Sequence, residues 1–72
     1  MTPTQSRMAR AALKWSLTDL ATQAGVGRAT VARLELGEPV AVETIDKMKA
    51  ALSAAGADFT RRAGRVGVTV PE

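Results

Sequence analysis

Cysteine, histidine and tyrosine are absent from this 72-residue chain, and its aromatic residues are Trp15 and Phe59 alone. Without cysteine there is no disulfide and no thiolate zinc site. Without histidine the commonest general base at neutral pH is missing. No pair of carboxylates is clustered in the sequence, and so short a chain has little room for a substrate pocket. An enzyme is therefore not expected, and no catalytic residue, metal or cofactor is assigned. No apolar run approaches the roughly 20 residues of a membrane span, and the N-terminus lacks a signal-peptide core. The expectation is one soluble cytoplasmic domain without a membrane partner, near the lower size limit for a self-sufficient core.

What the chain does hold is positive charge, unevenly placed. The formal net charge is +3 and the isoelectric point about 10.2. Residues 1–36 carry Arg7, Arg10, Lys14, Arg28 and Arg33 against Asp19 and Glu35, whereas residues 37–72 balance five basic with five acidic side chains. A basic N-terminal half suits a polyanion, although a merely solvated surface has the same charge count.

Periodicity divides the chain. Thr4 reads as the cap of a first helix running to about Lys14, with Ala9 and either Ala12 or Leu13 inward and Met8 near the edge. Trp15 then plugs the gap between helices. Ser16 and Asp19 have capping-box spacing and open a second helix over about 17–24, with Leu20, Ala21 and Ala24 on one face. Gly25 stands where a left-handed residue must end that helix. Val26 tucks inward, and Gly27 caps a third helix over about 28–36, with Val31 and Leu34 inward. Gly37 ends it and Pro39 forbids continuation. A fourth helix over about 42–55 shows Ile45, Met48, Leu52 and Ala55 at helical spacing, with Gly56 as its stop. The tail changes period: "ADFT" and "VGVTV" have strand character and predict a hairpin or two edge strands.

Two short helices joined by a glycine turn make a helix-turn-helix. Ala21 keeps the crossing close, Gly25 reverses the backbone, and Val26, Val31 and Leu34 bind the pair to the bundle. The longer string "WSLTDLATQAGVGRATVARLELGE" resembles the Cro and phage-repressor type of helix-turn-helix protein, the XRE family. Ser16, Leu20, Ala21, Ala24, Gly25, Val26, Thr30, Val31, Arg33, Leu34, Glu35 and Gly37 match its pattern, and the resemblance covers about residues 5–56. Leu17 departs from the family's Gln, Asp19 from Glu and Gly27 from Ser or Thr, and the loop "GEPVAVE" lacks the family's basic residues.

The resemblance implies a mainly α, four- to five-helix lambda-repressor-like bundle, followed by a short C-terminal strand or hairpin. It also implies an ion pair between Arg10 and Glu35. Residues 1–56 would be the DNA-binding domain. The resemblance says little about 57–72, where edge-strand physics instead predicts an extension that dimerises through Phe59, Val66, Val68 and Val70. The implied function is a sequence-specific double-stranded DNA-binding transcriptional regulator, a repressor, acting as a homodimer on an inverted repeat. In this motif the third helix enters the major groove. Arg28, Ala29, Ala32 and Arg33 are the expected base contacts, and Ser16, Thr18, Gly27 and Thr30 the expected phosphate contacts. Arg7, Lys14 and the Arg61, Arg62, Arg65 group are weaker candidates, equally well read as solvated surface. Two rivals stand beside this reading. One is an antitoxin with the same DNA-binding domain and a toxin as protein partner. The other is a module that has lost DNA binding and contacts protein, such as transcription machinery.

Overall fold

The computed structural model describes residues 1–72. Four helices precede a hairpin: α1 (Pro3–Leu13), α2 (Leu17–Ala24), α3 (Arg28–Glu35), α4 (Val42–Ala54), β1 (Asp58–Arg62) and β2 (Arg65–Thr69). The mainly α bundle with a C-terminal hairpin forms as expected, with four helices and no fifth. The helix limits fall within one or two residues of the sequence reading.

The cap of α1 is Thr2, not Thr4. Thr2 Oγ1 accepts from the Gln5 amide at 3.1 Å, and Gln5 Oε1 accepts from the Thr2 amide at 3.0 Å. Pro3 fills the first helical position, where a missing N–H costs nothing. Thr4 lies inside the helix, and its hydroxyl oxygen accepts from Arg7 Nη2 at 3.2 Å. Ala9 is fully buried and Leu13 packs against the core, whereas Ala12 is exposed. The inward face of α1 is otherwise polar, since Gln5 and Ser6 are buried.

All four helices close with the same pair of bonds. The amide of a residue one or two positions past the end donates three residues back, and the next amide donates five back. In α2 these are Gly25 to Thr22 at 3.3 Å and Val26 to Ala21 at 3.0 Å. In α1 they are Lys14 to Ala11 at 3.1 Å and Trp15 to Arg10 at 2.8 Å. The reversing residue must be left-handed. Gly25 does this at φ +68° without a Cβ to clash, while Lys14 does it at φ +60° with one. Pairs from Gly37 and Glu38 close α3, and pairs from Gly56 and Ala57 close α4.

The core draws on every helix: Ala9 from α1, Leu20 and Ala21 from α2, Val31 and Leu34 from α3, Met48 and Leu52 from α4. Ala57, 2% exposed, adds the link to the hairpin. Trp15 and Val26 pack around this cluster, as the sequence predicts.

β1 and β2 pair antiparallel, with Phe59 opposite Val68 and Arg62 opposite Arg65. The two-residue turn Ala63-Gly64 has φ +51° and +74°. That is the primed geometry whose twist matches the strands. The hairpin lies on the bundle. Gln5 Nε2 donates to the Thr60 carbonyl at 2.9 Å and the Gly67 carbonyl at 3.2 Å. Phe59, Val68 and Val70 pack against the core cluster.

Candidate nucleic-acid interface

The site begins with how α2 and α3 start. Ser16 Oγ accepts from the Asp19 amide at 3.0 Å, and Asp19 Oδ2 accepts from the Ser16 amide at 2.8 Å. The capping box read from the sequence is therefore formed, and it leaves the Ser16 hydroxyl proton free to donate outward. Gly27 caps α3 at φ −73° and ψ 145°, with no side chain to satisfy the first amides. Those amides carry the positive end of the helix dipole and face solvent, an arrangement suited to an anionic oxygen.

Along α3 the burial pattern separates two faces. Val31 and Leu34 are buried, while Arg28, Ala29 and Arg33 are exposed and Ala32 is half-buried. The four expected base-contact residues thus share the outward side. Arg28 makes no hydrogen bond or ion pair within the chain, so its guanidinium is unspent. Arg33 Nη2 donates to Thr30 Oγ1 at 3.2 Å, one turn back, which orients the arginine along the helix and occupies the half-buried Thr30. Thr18 is exposed in the first turn of α2.

The far end of α3 is anchored. Arg10 Nε donates to Glu35 Oε2 at 2.8 Å and Arg10 Nη2 to Glu35 Oε1 at 2.7 Å, a two-pronged ion pair. Ser6 Oγ donates to Glu35 Oε2 at 2.8 Å, and Arg10 Nη1 donates to the Trp15 carbonyl at 3.0 Å. Arg7 Nη1 donates to the Glu35 main-chain carbonyl. The hydrogen bonds to Glu35 raise the Arg10 guanidinium above its ordinary pKa, with partial burial opposing and the Glu35 charge adding to the rise. No buried side-chain polar atom lacks a partner. One network therefore fixes α3 on α1, and α3 presents Arg28 from a rigid mount.

Sequence reasoning found Arg10 and Glu35 through the family pattern but missed Ser6 and Arg7 as members of their network. A serine one helical turn before the arginine of such a pair carries no signal of its own. Sequence reasoning also missed an open hollow of about 320 Å³ lined by Arg7, Arg10, Leu17, Ala32, Glu35 and Leu36. Leu36 is 77% exposed at its rim.

A family model described as helix-turn-helix matches residues 7–53. The chain belongs to this family, in its Cro and phage-repressor (XRE) branch. No curated protein matches the chain. As a helix-turn-helix protein it is a DNA-binding transcription-regulator domain. No helix is long and apolar enough to cross a membrane. The match ends at residue 53, and the residues beyond it lie outside it. Those residues hold the tail side chains expected at a dimer interface. In the single chain Phe59, Val68 and Val70 lie half-buried against the core, and Val66 is half-buried on the same strand face.

Proposed function

We propose that this helix-turn-helix protein is a cytoplasmic repressor that binds an inverted repeat as a homodimer. The start of α3 enters the major groove. Arg28 reads a guanine through its O6 and N7 acceptors, and Ala29 and Ala32 allow close approach and meet thymine methyls. Arg33 lies on the same face and contacts a base edge. Ser16, Thr18, Thr30 and the Gly27 amide region hold flanking phosphates. The observation that carries this reading is the unspent Arg28 beside the uncapped amides of α3, on a helix locked from behind by Arg10 and Glu35. One α3 spans only a few base pairs, so two copies about 34 Å apart are required to read successive major grooves. Residues 57–72 are the dimerisation element in this reading, and residues 1–56 the reader. The hairpin has two outer strand edges, and an edge paired with its twin satisfies backbone groups in both chains.

Selection from random double-stranded DNA at a fixed salt concentration tests the proposal. It should enrich an inverted repeat with half-sites one helical turn apart. Enrichment of a single half-site would remove the dimer, and no enrichment at all would remove sequence-specific reading. A second reading, with a protein as the partner, is favoured by the exposed Leu36 beside the hollow at Leu17. A toxin or a component of the transcription machinery that co-purifies with the chain, and is lost on Leu36→Glu, would support it.

A further inference from the structure

We infer that the hairpin tip, Arg61, Arg62 and Arg65, is a second grip on the phosphate backbone of the duplex that α3 reads, an inference that rests on the DNA-binding function proposed above. The chain has ten basic side chains. Arg10 is neutralised by Glu35, Arg7 is bound to the Glu35 carbonyl and Arg33 to Thr30. The tip holds three of the others within five residues, all exposed. The ion pair of the chain is Arg10–Glu35, so none of the three is neutralised internally.

This placement works against the hairpin's own stability. Arg62 and Arg65 stand directly opposite each other in the ladder. Like charges there repel across a Cβ separation of about 5 Å. The turn between them has only two residues, Ala63 and Gly64, both left-handed, so the cations cannot drift apart through a flexible loop. The middle of the hairpin is fixed as well, because Gln5 donates to the carbonyls of the central pair Thr60 and Gly67. Arg62 and Arg65 share one face of the hairpin, while Arg61 stands on the other with Phe59, whose ring centroid lies 5.8 Å from Lys49 Nζ, so cations flank the tip on both sides. A rigid group of uncompensated cations is complementary to closely spaced fixed anions, as in the phosphates of a duplex strand.

The link between α3 and α4 adds to the argument. Residues 36–41 carry Glu38 and no cation, so phosphates beside that link meet no attraction from it. The greatest extent of the molecule is 30 Å, so α3 and the hairpin both fit within about one 34 Å turn of B-DNA.

The test uses the full chain and a random-sequence duplex. The variant Arg61→Gln/Arg62→Gln/Arg65→Gln removes the charge, and a second variant with all three changed to Lys keeps it. Affinity is measured from about 50 to 200 mM salt. In the Gln variant the slope of log K against log salt should become shallower by about 2 to 3, at roughly 0.9 for each phosphate no longer neutralised. Affinity should fall alike on any duplex, and the Lys variant should keep the wild-type slope. The Gln variant should also melt no lower than wild type, because the Arg62–Arg65 repulsion is gone. A wild-type slope in a folded Gln variant would overturn the inference and leave the DNA-binding function standing. A wild type with no salt-dependent binding to any duplex would overturn both.

Discussion

Arg10 holds Glu35 through two parallel hydrogen bonds, 2.8 and 2.7 Å long, across 25 residues of sequence. The Glu35 side chain is 7% exposed and that of Arg10 20%. Removing one partner leaves a nearly buried charge unmatched, a change that costs about 3 kcal/mol or more, whereas replacing both with apolar residues is far milder. Arg10→Met should therefore destabilise the domain strongly, and Arg10→Met/Glu35→Leu should recover much of that stability. Chemical denaturation of the single and double variants measures this, and additive effects would count against a coupled pair.

The same pair fixes a pH dependence. The folded-state pKa of Arg10 is raised by its bonds to Glu35. A raised basic group gives stabilisation that is fully present below its unfolded value and is lost only as pH climbs through the folded one. Both lie far above neutrality for arginine. The stability difference between wild type and Arg10→Met should thus stay constant between about pH 7 and 10. A difference that shrank across that window would contradict this assignment.

Two helix ends of identical bonding carry different residues, and this gives a matched pair of substitutions. Lys14 sits at φ +60° with a Cβ, while Gly25 sits at φ +68° without one. Lys14→Gly should stabilise by about 1 kcal/mol, and Gly25→Val should destabilise by more than about 1 kcal/mol. Each kcal/mol moves the melting temperature of a domain this small by roughly 4–8 °C. Opposite signs in the two melting curves are the expected outcome.

The hairpin turn carries a similar strain. Ala63 takes the first left-handed position at φ +51°, where asparagine is favoured. Ala63→Asn should raise the melting temperature without altering helical content by circular dichroism. A fall would indicate that the turn has another geometry.

Specific recognition is tested at the exposed end of α3. Arg28→Ala should cost about 1–3 kcal/mol on the selected operator and much less on random DNA. Equal costs on both would reduce Arg28 to a phosphate contact.

The α2–α3 motif was legible because its signals are local. Ser16 with Asp19 three residues on, and Gly25 followed by apolar Val26, state the cap and the reversal within a short stretch of chain. The start of α1 was less legible, though its signal was present. Thr2, Pro3 and Gln5 have capping-box spacing with proline at the first helical position, but Thr4 offers a second hydroxyl nearby. The burial of Gln5 and Ser6 could not be read locally, because their partners lie 29 to 62 residues away. The hairpin's strands were visible in the alternation of valines. Its packing onto α1 was not, since that depends on a glutamine amide that looks like ordinary helix surface. At the interface, the outward side of α3 followed from periodicity, while the hollow beside Leu17 needed three helices to be in place.

Gln5 spends its carboxamide in three directions. Its oxygen accepts from Thr2, and its nitrogen donates to Thr60 and Gly67. One side chain is thereby the clasp between the first turn of the bundle and the last element of the fold. The two regions cannot fray independently, because opening either one strands the amide of the other. Hydrogen exchange should then report a single opening free energy for the amides of residues 5–8 and of 66–69, and Gln5→Ala should split it into two. The domain would behave as a closed loop rather than a bundle with an appended arm, and a force or a protease acting on the hairpin would be felt at the start of α1.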